Sequence, residues 1–283
     1  MKLIDGTRVA KTIDERIKQA LRHIRRKPGL AFVSVGENPA SRAYIRMKKK
    51  RCAEVGIVSL DREFSENISE EQLLREIEEL NVDPNVDGIL VQLPLPPHIA
   101  PTHIMEKIDP SKDVDGFHPL NLGRALLGDL EGFLPCTPHG IHLLLKRYEI
   151  PLQGKHVVIV GRSNIVGKPL AAILMQKDPN CNATVTVAHS FTENLPAVCR
   201  SADILVAAMG KAHFITKEMV KKGAVVIDVG ISRVSGKIVG DVDFEHVAPL
   251  TSYITPVPGG VGPMTIAMLL SNTLLSYQRR ESQ

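Results

Sequence analysis

Residues Lys155 to Leu174 read KHVVIVGRSNIVGKPLAAIL, and this stretch decides the fold. His156-Val157-Val158-Ile159-Val160 is apolar and β-branched without alternation, the pattern of a parallel strand buried on both faces. Gly161 breaks it, and a polar turn leads to Gly167, Pro169 and the apolar helical run Leu170 to Met175. Strand, glycine turn and helix start, in that order, make an anion site. Exposed N–H groups and the positive dipole end gather at the helix N-terminus. Pro169 suits the first helical turn, where its missing N–H breaks no bond. The Gly-x5-Gly spacing departs from the G-x-G-x-x-G fingerprint, so context carries the reading. The competing reading is a buried strand and helix that hold no ligand.

Outward from this turn, the second half repeats strand and helix in short units. Ala183 to Val187, Ala202 to Ala208 and Ala224 to Val229 read as strands, which predicts a Rossmann-type dinucleotide-binding domain. The first half alternates too: a helix over 7–26, a strand Leu30–Val35 and a helix Ser41–Val55. A strand near Ile57–Leu60, a helix Ser69–Leu80 and a strand Gly88–Gln92 follow. Ser69 with Gln72 three residues on is a capping-box pattern. This β-α-β-α-β order predicts a small α/β domain with a mostly parallel sheet. Its candidate ligand loops are 35–41, 92–97 and 109–118. After the proline-rich joint GFLPCTPHG (132–140), a helix runs through Tyr148. Near the C-terminus TPVPGGVGP (255–263) leads into an apolar helix from Met264 to about Leu275. A helix so apolar this late is expected to pack back on the first domain. The expected division is 1–119 plus 264–283 for the first domain and 120–263 for the Rossmann-type domain.

The 283 residues are 43% hydrophobic and 23% charged, with no tryptophan, which suits a globular protein with substantial cores. A net charge of +4 without basic, aromatic-interleaved blocks argues against nucleic acid. The run Lys48-Lys49-Lys50-Arg51 reads either as a solvated helix face or as a site for a polyanionic small molecule. Cys52, Cys136, Cys181 and Cys199 form no C-x-x-C pair and no metal-ligand spacing, as expected of reduced thiols in a cytosolic protein. The N-terminus has no signal-peptide pattern, and no apolar run reaches the about 18 residues of a membrane helix.

Tyr44 and Lys48 stand four apart and share a helix face. A tyrosine offers a platform for a flat ligand, and a lysine beside it can move a proton. Such a lysine must lose its proton near neutral pH, which desolvation or neighbouring cations (Arg46, Lys49, Lys50) promote. The alternative is a surface pair covering an amphipathic helix. Gln92 closes an apolar strand, well placed to orient a ligand or a lysine; the alternative is a bond to loop backbone. Asp113 and Asp115 could accept bonds from an amino-substituted ring, although Asp115-Gly116 is also ordinary turn chemistry. In the Rossmann-type half the second strand runs into Ala188-His189-Ser190, with no carboxylate until Glu193. NAD-selective folds usually place one there. Its absence, with Arg162 and Lys168 nearby, favours NADP. His189 reads as structural rather than catalytic.

With these residues in view the chain resembles the bifunctional methylenetetrahydrofolate dehydrogenase/methenyltetrahydrofolate cyclohydrolase family, from end to end. The segments that carry the resemblance are NPASRAYIRMKKK, DGILVQLPLP, KDVDGFHPLNLG, PCTPHG, GRSNIVGKP and PGGVGPMTIAMLL, in that order. The resemblance implies oxidation of 5,10-methylenetetrahydrofolate with NADP, then hydrolysis of the methenyl cation to 10-formyltetrahydrofolate. It implies Lys48 as acid/base of the hydrolytic step, Gln92 as the partner that tunes it, Tyr44 stacked on the folate and Asp115 on the pterin. Ser41, Leu93, Pro258 and Gly259 would line the substrate pocket. Arg162 and Ser190 would hold the 2′-phosphate, and Gly161, Ser163, Gly167, Thr137, His189 and Ile231 would border the cofactor. It further implies no metal, a cytoplasmic homodimer, no membrane or nucleic-acid partner, and a place in one-carbon metabolism serving purine biosynthesis. Ala188 stands where the family commonly has cysteine. Two rival readings are a dehydrogenase alone, NAD-linked, and a non-catalytic folate or dinucleotide sensor. Retained Lys48 and Gln92 weigh against both.

Overall fold

Val157 to Val160 are fully buried, as their unbroken apolar pattern requires, and they form an inner strand, one place from the edge, of a parallel sheet. The structure, a computed structural model, describes residues 1–129 and 132–282. In chain order the elements begin with β1 (Lys2–Leu3), α1 (Gly6–Leu21), β2 (Gly29–Val35), α2 (Pro39–Val55) and β3 (Val58–Phe64). Next come α3 (Glu70–Val82), β4 (Gly88–Val91), α4 (Pro101–Lys107), α5 (Pro119–Leu127) and α6 (Cys136–Arg147). Then follow β5 (His156–Val160), α7 (Gly167–Leu174), β6 (Thr184–Ala188), α8 (Leu195–Arg200), β7 (Ile204–Ala207) and β8 (Val225–Asp228). The chain closes with β9 (Ser232–Val234), β10 (Lys237–Val239), α9 (Phe244–Val247), β11 (Tyr253–Ile254) and α10 (Val261–Glu281).

Most elements follow the sequence pattern, and the departures have local causes. Helix α1 stops at Leu21 instead of residue 26, because crowded like charges (Arg22, Arg25, Arg26, Lys27) lead into Pro28. Helices α4 and α5 have no counterpart in the sequence pattern; each opens on a proline, which is a helix start as readily as a loop residue. At α3 the capping box is complete: Gln72 N–H donates to Ser69 Oγ, and Ser69 N–H to Gln72 Oε1.

The chain divides into two units. One comprises Thr12–Arg124, Asp129–Leu134 and Ile266–Gln283. Its three-stranded parallel sheet runs in the order β3-β2-β4, with Leu30 opposite Gly88 and Gly29 opposite Val58. Ala31, Val33, Leu73, Ile77, Ile89 and Ile104 build its core. The C-terminal part of α10 packs here. Asn272 Nδ2 donates to the carbonyls of Val114 and Leu134, and Ser276 Oγ bonds to the Asp87 and Ser111 carbonyls. Buried Asp87 accepts from Arg26, Arg280 and the Gly29 N–H, tying both ends of this unit's sequence to β4.

The other unit comprises Met1–Lys11, Ala125–Gly128 and Pro135–Thr265. Its six strands are parallel in the order β1-β11-β8-β7-β5-β6, over a core that includes Val158, Val160, Leu205, Val226 and Ile254. Strand order reverses beside β5, the kind of switch point at which such sheets bind ligands. Strands β9 and β10 form a separate antiparallel hairpin. The sequence-based division placed residues 1–11 in the first domain, and this differs from the structure. The reason is β1, only two residues long, which pairs with β11. A strand that short leaves no periodic trace. Among the described residues no helix is long and apolar enough to cross a membrane.

Candidate active site

In the first unit, α2 carries Tyr44 and Lys48 one turn apart on one face, and Gln92 stands just past β4. The Gln92 N–H donates to the Val33 carbonyl (2.9 Å), which continues the β2–β4 ladder by one bond and fixes the residue to the sheet. Gln92 Nε2 donates to its neighbour's carbonyl on Leu93 (2.7 Å). That bond orients the amide so that Oε1 accepts from Lys48 Nζ (3.3 Å). The same Nζ lies 4.6 Å from the Tyr44 ring centroid. Lys48 is only 5% exposed, so the site holds a lysine taken almost wholly out of water. The basic run therefore splits. Lys49 pairs with Asp61 (2.8 Å), and Arg51 with Asp14 (2.6 Å), while Lys50 lies 79% exposed near Glu54. Lys49 and Lys50 serve the outer faces, Arg51 makes a largely buried pair with Asp14, and Lys48 points towards Gln92. Cys52, one turn further on, is pushed up to about 12 by burial and supplies no thiolate.

The two carboxylates of KDVDG separate by environment. Asp113 is buried and accepts from the N–H groups of Gly116, Phe117 and His118 and from Asn121 Nδ2. It is the staple of the loop. Burial pushes it up to about 7, against the pull of those donors. Asp115 is half-buried on the loop that Asp113 shapes. Ser41 N–H donates to Asn38 Oδ1 (3.2 Å) at the α2 entrance, and Leu93 enters a cis bond to Pro94. Pro258 and Gly259 belong to the other unit, where the Gly259 carbonyl accepts from the Thr7 N–H (3.0 Å).

In the second unit, the turn after β5 is tightly wound. Gly161 has φ +128°, and a Cβ there would meet the Ala208 carbonyl oxygen at 2.2 Å. A Cβ on Gly167 would stand 2.0 Å from the Gly161 carbonyl. Only glycine allows this approach of turn and helix start. Ser163 Oγ accepts from the Val166 N–H (3.1 Å), and Lys168 Nζ bonds Asn164 Oδ1 (2.7 Å), so Lys168 is committed inside the turn. Parallel register sets Val160 opposite Ala188. Two residues beyond each, Arg162 and Ser190 leave neighbouring strand ends, and both are exposed. No carboxylate stands at the end of β6. A cation and a hydroxyl at adjacent strand ends, beside a tight glycine turn at a helix start, fit a dinucleotide that carries a 2′-phosphate.

His189 is occupied by the loop: its Nδ1 accepts from the Phe191 N–H (3.2 Å), and its own N–H donates to Thr192 Oγ1 (2.8 Å). Thr137 Oγ1 shares a hydrogen bond with Thr265 Oγ1 (2.8 Å), and Ile231 is 57% exposed just before β9. The residue types of Asp113 and Asp115 do not distinguish them, and burial separates them. The sequence reading overlooks one residue that shapes these sites. Phe191 went unremarked, although an aromatic residue directly after a strand-end serine was a readable signal.

Comparison with known proteins covers nearly the whole chain. The model for the tetrahydrofolate dehydrogenase/cyclohydrolase catalytic domain matches residues 4–115, and that for the family's NAD(P)-binding domain matches residues 135–281. The bifunctional protein FolD of Protochlamydia amoebophila is 55% identical over 288 residues, 99% of each chain. That of Geobacillus thermodenitrificans is 55% identical over 96% of this chain and 95% of its own. A crystal structure of the bifunctional FolD dehydrogenase/cyclohydrolase from Campylobacter jejuni superposes with TM-score 0.95 at 52% identity, covering 99% of both chains. The Trypanosoma brucei dehydrogenase-cyclohydrolase, solved with NADP and an inhibitor, has TM-score 0.92 at 38% identity, covering 99% of this chain and 98% of its own.

Proposed function

The chain belongs to the tetrahydrofolate dehydrogenase/cyclohydrolase family, and on that premise we propose how its residues divide the two reactions. It is a bifunctional enzyme: it oxidises 5,10-methylenetetrahydrofolate to the methenyl compound with NADP, then hydrolyses that to 10-formyltetrahydrofolate. When bound, NADP accepts the hydride.

Lys48 is the acid/base of the hydrolytic step. As water adds to the methenyl carbon, the lysine takes a proton from the attacking oxygen. It returns one to the ring nitrogen when the old carbon–nitrogen bond opens. Gln92 holds Nζ in line, Tyr44 stacks on the folate, and Asp115 accepts bonds from the pterin amino group. Ser41, Leu93, Pro258 and Gly259 line the substrate. The observation that carries this reading is the buried Lys48 Nζ bonded to Gln92 Oε1 at 3.3 Å. General acid–base chemistry needs a positioned group shielded from water. Arg162 and Ser190 hold the 2′-phosphate, with Thr137, Gly161, Ser163, Gly167, His189 and Ile231 around the rest of the cofactor. We assign the chain to the cytoplasm as a homodimer serving purine biosynthesis. Support for the dimer is the outer edge of β3, which has no strand partner among the described residues and leaves Val58 46% exposed.

The test supplies purified protein with 5,10-methylenetetrahydrofolate and either NADP+ or NAD+, following reduced cofactor, methenyl compound and 10-formyl product. Reduction that prefers NADP+, with 10-formyl product formed faster than spontaneous hydrolysis allows, is expected. Methenyl compound accumulating at its uncatalysed rate of decay would remove Lys48 from the mechanism. Light scattering should return twice the 31.0 kDa chain mass.

A further inference from the structure

Phe191 is 81% exposed at the turn after β6, one residue beyond Ser190. Folding gains little from a phenylalanine left in water, yet this one is held firmly. Its N–H donates to His189 Nδ1 (3.2 Å), the His189 ring meets it edge-on at 6.3 Å, and the turn closes through Thr192 N–H to the His189 carbonyl (2.9 Å). From the neighbouring strand end, the Arg162 guanidinium carbon lies 5.9 Å from the Phe191 ring centroid.

We propose that Phe191 is a positioning residue for Arg162 and thereby a determinant of NADP over NAD selectivity. The inference rests on the reading of Arg162 as a 2′-phosphate ligand. An exposed arginine loses rotamer freedom when it clamps a phosphate, and a ring that already restricts the guanidinium lowers that loss. Attraction to the ring face leaves the in-plane N–H donors available for phosphate oxygens. A carboxylate partner would consume those donors and repel the phosphate. Loss of the ring should therefore weaken only ligands that bear the 2′-phosphate, by about two- to five-fold, the worth of an exposed cation–π contact.

The experiment measures dissociation constants by calorimetry for NADP+, NAD+ and 2′,5′-ADP, with Phe191→Ala, Phe191→Leu, Phe191→Trp and Arg162→Ala beside the parent chain. Thermal melting of each variant confirms folding. Phe191→Ala should weaken NADP+ and 2′,5′-ADP and leave NAD+ unchanged; Trp should restore affinity and Leu should not. Equal losses for NAD+, full rescue by Leu, or no loss at all would each overturn the proposal. Arg162→Ala separates the two levels. If it leaves NADP+ preference intact, the phosphate assignment itself fails. If it abolishes the preference while Phe191→Ala preserves it, only the role of Phe191 fails.

Discussion

Lys48 shows how one residue departs from its neighbours in a run of like charge. Lys49 and Arg51 find carboxylates, Asp61 and Asp14, whereas Lys48 turns towards Gln92 and the Tyr44 ring. Lys48→Met keeps the apolar stem and removes the proposed proton carrier. Cyclohydrolase turnover should fall at least about 100-fold, the lower range for general acid–base catalysis. Folate affinity should stay within about an order of magnitude, checked by stopped-flow decay of methenyltetrahydrofolate and equilibrium binding. Arg162 is the corresponding single residue proposed for the cofactor. The proposed charged hydrogen bond to phosphate predicts that Arg162→Ala weakens NADP+ about ten- to hundred-fold. NAD+ should barely change, as competitive titration of the two cofactors would show.

At the scale of elements, the loop between α4 and α5 is organised by a buried acid. Asp113 gathers three backbone N–H groups and Asn121 and so shapes the turn that presents Asp115. Burial raises Asp113 from 3.8 to about 7. The folded chain thus holds a proton that the unfolded chain has released. The resulting stabilisation is complete below about pH 4 and is lost as pH rises through about 7. Thermal melts at pH 5 and pH 8 should show the parent chain less stable at the higher pH, by an amount that shrinks in Asp113→Asn. A pH dependence that survives the substitution unchanged would place the titration elsewhere. The glycine turn between β5 and α7 is the other decisive element. Its close approaches at Gly161 and Gly167 leave no room for a side chain.

For the whole molecule, the anchor of the first unit is buried Asp87, which Arg26 and Arg280 meet from distant parts of the chain. Removing it takes the shared carboxylate from two half-buried guanidinium groups, which keep Glu281 and the Val86 carbonyl, and leaves the Gly29 N–H without its acceptor. Asp87→Ala should cost about 3–5 kcal/mol, the penalty for breaking a buried pair from one side. A lowered melting temperature, with the Arg162-dependent preference for NADP+ unchanged, would locate the damage in this unit. A loss below about 1 kcal/mol, as for a surface pair, would refute Asp87 as an anchor.

The sequence by itself determined the parallel α/β architecture, the glycine turn, the missing carboxylate after β6 and the Tyr44–Lys48 spacing. Each of these is written in local periodicity or in residue type at a short offset. Tertiary structure alone decided which lysine of three faces inward, which aspartate of two is a staple, and where residues 1–11 belong. It also decided that the Arg162 guanidinium lies over Phe191. Those outcomes depend on burial and on partners beyond the reach of local periodicity: Gln92 for Lys48, Asn121 for Asp113, β11 for β1, and Phe191 for Arg162. A local pattern states which face of an element is apolar, but it carries no record of what that face will meet.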